Sequence, residues 1–226
     1  MAQTPKKVFV DLFYDIVSPY SYLCFEVLTR CNREWPNMDL QLKPVYLGGI
    51  MAGTNNVPPA TVPNKAKYMH QDLPRLAKYF GVPFNFPEDI ANVMFVKGTL
   101  PTQRFLTSAK RECPQQLEQL SRELFTRVWF KDEDVTTDES LKEASKKVGL
   151  PGKELESVVS ALKTAEVKQC LKDTTQTALD HGAFGVPTYV VHLHDGPVML
   201  FGLIRLFLLA QYLGRQLTVE SPNDCK

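Results

Sequence analysis

Val8-Phe9-Val10-Asp11-Leu12-Phe13-Tyr14-Asp15-Ile16-Val17-Ser18-Pro19-Tyr20-Ser21 runs from a short, mainly apolar segment into the start of a long helical pattern. Ser18 reads as a helix N-cap and Pro19 as the first helical residue, where a missing N–H removes no helical bond. The spacing predicts a strand at 7–14, a helix at 19–34 that stops before Pro36, and a second strand at 38–46. Leu23, Val27, Leu28 and Cys31 recur at helical spacing, whereas Met38, Leu40 and Leu42 alternate as a strand does. Free N–H groups of the first turn and the positive end of the helix dipole converge near the Ser18 hydroxyl. An anion, and above all a thiolate, is stabilised at such a place. Taken alone, Ser-Pro is also an ordinary way to begin a helix.

A second element far downstream gives the junction its meaning. In Gly185-Val186-Pro187-Thr188-Tyr189-Val190-Val191 a proline precedes a β-branched and aromatic strand. Pro187 is a candidate cis proline, and one at the mouth of a strand leaves the N–H and C=O of Val186 free to pair with an extended peptide. Together the two elements point to a site for a small thiol peptide. Between them, from about 50 to 182, the texture is helical, with Leu117, Leu120, Leu124 and Val128 forming one apolar stripe that reads as core. Pro87 to Asp89 and Thr137 to Glu139 read as ordinary helix starts. The β pattern returns at 187–202 with Asp195-Gly196 as a hairpin turn, and 205–213 supplies a closing helix. This order predicts an α/β fold, a thioredoxin-like domain (1–50 and 183–226) interrupted by an all-helical insertion domain (51–182). Ser18 then stands where a thioredoxin-like protein carries its redox cysteines.

Composition narrows the function classes. A formal net charge of +1 over 226 residues gives no basic excess for nucleic acid or an anionic membrane surface, and no apolar run reaches membrane-spanning length. Residues 1–7 lack the apolar core of a secretory signal, and Asn223-Asp224-Cys225-Lys226 is not a peroxisomal Ser-Lys-Leu address, so an intracellular, reducing compartment is the expectation. The five cysteines, Cys24, Cys31, Cys113, Cys170 and Cys225, are odd in number and scattered, which suits buried small hydrophobes better than a disulfide framework. His192 and His194 alternate on one strand face, but a third ligand at metal-site spacing is missing, and no metal is expected. Ser18 also lacks the Gly-x-Ser-x-Gly turn of a hydrolase.

Over almost its full length the chain resembles the kappa-class glutathione transferases, which are similar in fold to the bacterial oxidoreductase DsbA and to 2-hydroxychromene-2-carboxylate isomerases. The resemblance is carried by Phe13-Tyr14-Asp15 with Ser18-Pro19-Tyr20-Ser21, Gly49-Ile50-Met51 with Asn56, Pro58 and Pro59, and Lys65 with Tyr68-Met69. Further on it is carried by Ser121-Arg122-Glu123-Leu124 with Arg127-Val128-Trp129, by Gly182-Ala183-Phe184-Gly185-Val186-Pro187 and by Met199-Leu200-Phe201-Gly202. It implies glutathione as co-substrate, with Ser18 catalytic, Pro19 beside it and Tyr20 shaping the entrance. It further implies that Asn56 and Lys65 contact the glycyl end, and that Val186, held by Pro187, pairs with the cysteinyl moiety. A homodimer, a role in detoxification and a mitochondrial or peroxisomal setting are implied as well, with the cytoplasm expected where no targeting signal operates.

One departure stands out. Where the family pattern is similar to Ser-Asp after Phe201-Gly202, this chain has Leu203-Ile204. The Leu203 N–H can still hold the γ-glutamyl carboxylate, but no acid at Ile204 meets the ammonium. Three functions therefore compete. The first is a transferase or peroxidase acting on small apolar electrophiles or hydroperoxides. The others are a glutathione-dependent isomerase and a non-catalytic thioredoxin-like binding module. In the first two, Ser18 donates to the glutathione sulfur while the helix N-terminus favours its charge; serine forms no disulfide, so the co-substrate brings the nucleophile.

Overall fold

The computed structural model describes residues 7–215. Strand β1 (Val8–Tyr14) lies at the centre of a four-stranded sheet of order β2-β1-β3-β4. It pairs in parallel with β2 (Met38–Pro44) through the crossover helix α1 (Pro19–Glu34), and antiparallel with β3 (Thr188–Leu193). A hairpin then returns as β4 (Gly196–Phe201). Its two-residue loop is His194-Asp195, one residue before the expected turn, because Gly196 at φ 122° still pairs with Leu193.

The alternation of β1 divides the interior. Val10, Leu12 and Tyr14 enter the main core with α1, whereas Phe13 enters a smaller one with Val45, Ile50, Ala178 and Val190. Residues 47–180 form seven α-helices: α2 (Leu47–Thr54), α3 (Pro63–Phe80), α4 (Leu100–Glu112), α5 (Leu117–Trp129), α6 (Asp138–Lys147), α7 (Gly152–Ala161) and α8 (Ala165–Asp180). A π-helical turn, Asn92–Lys97, precedes α4, and a 3-10 turn, Leu203–Arg205, leads into the last helix α9 (Leu206–Tyr212). The chain thus has the expected α/β architecture with helices inserted between β2 and β3. The boundary expected at 50/51 falls inside α2, and residues 1–6 and 216–226, with Cys225, lie outside the described residues. No helix among the described residues is long and apolar enough to cross a membrane.

The inserted helices share the core of the sheet. The expected stripe Leu117, Leu120, Leu124 and Val128 is buried on α5. Phe125 from the same helix packs its ring 5.8 Å from Tyr14, 5.4 Å from Tyr22 and 5.4 Å from Phe25, joining α5 to β1 and α1. Polar bonds follow the same path. The Tyr14 hydroxyl meets Ser121 Oγ at 2.6 Å, and Gln103 Nε2 of α4 donates to the carbonyls of Tyr14 at 2.9 Å and Val45 at 2.6 Å, where the two parallel strands end. Trp129 Nε1 of α5 donates to Ile16 O at 2.8 Å, inside the loop that delivers Ser18. Because Phe125 serves both parts at once, Phe125→Ala should cost about 3–5 kcal/mol. Urea unfolding should show that loss as a shifted single transition, rather than as early release of the inserted helices.

Candidate active site

The C-terminal end of β1 does not feed α1 directly. Asp15, Ile16 and Val17 form a buried turn first, closed by the bond from Ser18 N–H to Asp15 O at 3.0 Å. Ser18 then caps α1 as expected, its Oγ accepting from Ser21 N–H at 3.1 Å, with Pro19 in the first turn. The other hydroxyl contact is a donation to Val186 O at 3.4 Å, at the outer limit of a hydrogen bond. That proton can turn toward a better acceptor at small loss, and no acidic side chain stands in the first turn of α1 to oppose a negative charge.

Val186 belongs to the loop entering β3. Its peptide bond to Pro187 is cis, and neither backbone group of Val186 has a backbone partner among the described residues. Gly185 allows a close approach: a Cβ there would lie 3.2 Å from the Phe201 ring, which would have to shift slightly to admit it. Phe184 packs on Phe201 with ring centroids 4.3 Å apart.

Between these two elements lies a cavity of about 250 Å³. Ser18, Pro19, Tyr20, Asn56, Val186, Pro187 and Leu203 all line it, so seven of the eight residues expected from sequence meet there. Lys65 does not line it; the residue is exposed in the first turn of α3. Asn56 is at the wall, but its amide is already engaged: Nδ2 donates to Phe184 O at 2.6 Å and Oδ1 accepts from Val57 N–H at 2.9 Å. It braces the Val186 loop. Leu203 is buried and Ile204 stands 57% exposed at the rim. Among the described residues no acidic side chain lines the cavity, and the sole charged one is Arg205. The rest is largely apolar, including Leu47, Met51, Pro58, Pro59, Met69, Leu76 and Met94.

Sequence reasoning passed over three residues here. Tyr20 donates to Asp72 of α3 at 2.9 Å, and Tyr68 donates to the same carboxylate at 3.3 Å; the motif contained Tyr68, but nothing in the sequence linked α3 to Tyr20. Asp15 was seen only as part of Phe13-Tyr14-Asp15. Its carboxylate is fully buried and accepts from Val17 N–H at 3.1 Å, Leu47 N–H at 2.9 Å and Thr99 Oγ1 at 2.6 Å. Burial pushes its pKa up to about 6, against the pull of these three donors.

Elsewhere, Cys24, Cys31 and Cys113 are buried and desolvation raises all three, while Cys170 is half-buried. His192 pairs with Asp11 at 3.0 Å and His194 with Asp195 at 3.0 Å.

Comparison with known proteins places this geometry. Residues 9–214 match the DSBA-like thioredoxin domain. Glutathione S-transferase kappa 1 of Homo sapiens is 43% identical over 92% of this chain and 91% of that protein. The 2-hydroxychromene-2-carboxylate isomerase of Pseudomonas putida is 27% identical over 91% of this chain and 94% of that protein. A solved structure of a 2-hydroxychromene-2-carboxylate isomerase superposes with a TM-score of 0.76 at 22% identity, covering 91% of this chain and 94% of that one. The chain belongs to the DSBA-like thioredoxin domain family and, within it, to the kappa-class glutathione S-transferases.

The Asp15 pKa carries a signed prediction. Its folded value, about 6, lies above the free value of 3.8, so the native chain holds this proton more tightly than the unfolded chain. The associated stability is present below about pH 4 and lost as pH rises through about 6. Relative to Asp15→Asn, whose amide does not titrate, the wild type should therefore lose about 3 kcal/mol between about pH 4 and pH 7. Urea midpoints of the two proteins across that range check it.

Proposed function

We propose that this chain is a glutathione transferase that binds glutathione as the thiolate beside Ser18 and joins it to small apolar electrophiles. The observation that carries the reading is the Ser18 hydroxyl, held at the N-terminus of α1 and 3.4 Å from the carbonyl of Val186, on the wall of an apolar cavity. An extended cysteinyl residue pairing with the backbone of Val186 brings its sulfur toward that hydroxyl. The hydroxyl releases its long bond to Val186 and donates to sulfur, and the helix dipole favours the charge. Protein thiols in comparable positions titrate at about 3.5–7.5, against about 8.5 when free. Each unit of depression is worth about 1.4 kcal/mol in favour of the nucleophile.

The transfer itself needs no group from the protein beyond these. The thiol proton leaves to solvent, sulfur bonds to the electrophilic carbon, and the leaving group departs with its electron pair. The methionine- and proline-rich wall supplies an apolar seat for the electrophile and keeps it close to the sulfur. With a hydroperoxide the thiolate attacks oxygen and the O–O bond breaks, so that sulfur keeps one oxygen as a sulfenic acid and the other half leaves, protonated, as the alcohol. A second glutathione then closes the disulfide with loss of water.

Within this proposal Lys65 and Asn56 contribute less than the resemblance implied, Lys65 standing outside the cavity wall and Asn56 bracing Phe184. The γ-glutamyl ammonium finds no acid on the cavity wall, which predicts weak binding at that end. An isomerase reading draws on the name of the 27% identical relative: in that reading sulfur adds and leaves again, and no glutathione is consumed.

Ultraviolet difference absorption of bound glutathione, followed across pH in the wild type and in Ser18→Ala, tests the reading. A saturable thiolate signal with a depressed pKa, moving up by about a unit or more in the variant, is the expected result. Absence of saturable binding in the wild type would overturn it, and mass analysis of products separates conjugation from isomerisation.

A further inference from the structure

Asp15 is an uncommon group to bury: a carboxylate at 0% exposure, with no salt-bridging cation among the described residues. Its three hydrogen-bond donors come from three different segments. Val17 N–H belongs to the turn that delivers Ser18 to the start of α1. Leu47 N–H is the first amide of α2, whose capping residue Tyr46 makes no side-chain cap. Thr99 is the capping residue of α4 and directs its hydroxyl to Asp15 rather than to its own helix. Three helix starts thus converge on one carboxylate, and their positive ends offset part of the cost of burying it.

Two of those starts are walls of the cavity. The α1 start carries Ser18, Pro19 and Tyr20, while α2 carries Leu47 and Met51 and leads to Asn56, which braces the Val186 loop. We propose that Asp15 is a positioning residue of the sulfur site: its ionised carboxylate locks the starts of α1, α2 and α4 together and so holds Ser18 opposite Val186. Substituting it with an apolar group would strand all three donors. Once protonated, its oxygens accept more weakly from donors that each favour the charged form, and the joint loosens.

The surroundings leave the assignment clean. The titratable neighbour its charge reaches is Tyr14, whose phenol burial keeps protonated. On the far side of Val17 and Thr99 a small cavity is lined by Lys97, Asp132, Glu133 and Asp134; Lys97 and Asp134 pair with each other, and none of the four hydrogen-bonds Asp15.

The inference rests on the glutathione reading for its effect on catalysis, but not for the joint itself, so two measurements are needed. In the free protein the amide resonances of Val17 and Leu47 should titrate together as pH falls through about 6 and should do so no longer in Asp15→Asn. Independent or absent titration overturns the proposal, whether or not glutathione binds.

With glutathione and an aryl halide, Thr99→Val should lower kcat about tenfold to a hundredfold with little change in KM for the halide, and Thr99→Ser should restore it. Because Thr99 touches Asp15 and not the cavity, wild-type kcat in a folded Thr99→Val overturns the positioning role. So does a loss that simply multiplies with that of Ser18→Ala in the double variant, since a residue acting through Ser18 has nothing left to position once the hydroxyl is gone. Failure of the wild type to bind glutathione would instead sink the functional reading and leave the amide titration to decide the joint.

Discussion

The carboxylate of Asp15, sealed from water and met by donors from the turn before α1, from α2 and from α4, is the constraint around which the molecule is arranged. A buried carboxylate tolerates no loose partner, because each donor that drifts away leaves part of a charge unsolvated. The three segments therefore stand in fixed relation, although they are separated by up to 84 positions in the chain. Gln103 and Trp129 extend the same clamp: Gln103 donates to the carbonyl of Tyr14, which also accepts from Val45 N–H at 3.0 Å, and to that of Val45, while Trp129 donates to that of Ile16. Inserted helices are thus not an appendage to the sheet. They satisfy the backbone of the turn that leads to Ser18.

This arrangement separates rigidity from reactivity. Ser18 itself keeps one firm bond, from Ser21 N–H, and one long one to Val186 O that is easily exchanged. The strong bonds lie one layer beneath, at Asp15. On the proposed reading, a hydroxyl that is placed accurately yet makes only a long bond through its proton suits donation to an incoming sulfur. Burial raises the Asp15 pKa toward the neutral form, which marks a stability cost carried by the ionised group.

The chemistry of the cavity wall bears on the proposed function. Methionines, prolines and leucines line it together with Ser18, and among the described residues Arg205 supplies its only charge. On the proposed reading, such a wall suits an apolar acceptor and an anionic thiol peptide and offers no acid to an ammonium group. Leu203 is buried as packing, and Ile204 stands exposed at the rim.

Much of this was legible in the chain. Strand alternation, the Ser-Pro helix start and the proline before Thr188 are local patterns, each set by the stereochemistry of a few consecutive residues, and they located β1, α1, β3 and the two faces of the site. The stripe on α5 was equally plain, because burial imposes a helical period on its own residues. Lys65 stands exposed at the start of α3 and does not line the cavity, and a lysine there looks the same in sequence whether it faces a cavity or open water. Asn56 lines the cavity, but its partner, Phe184 O, lies 128 residues away and is not legible in sequence. Asp15 was invisible as a centre, since its meaning resides in Leu47 and Thr99. Sequence by itself determined the order of the elements and where an anion is favoured, because these follow from short-range geometry. Tertiary structure alone decided which distant donors meet one buried carboxylate, because only packing removes the water that would otherwise satisfy it.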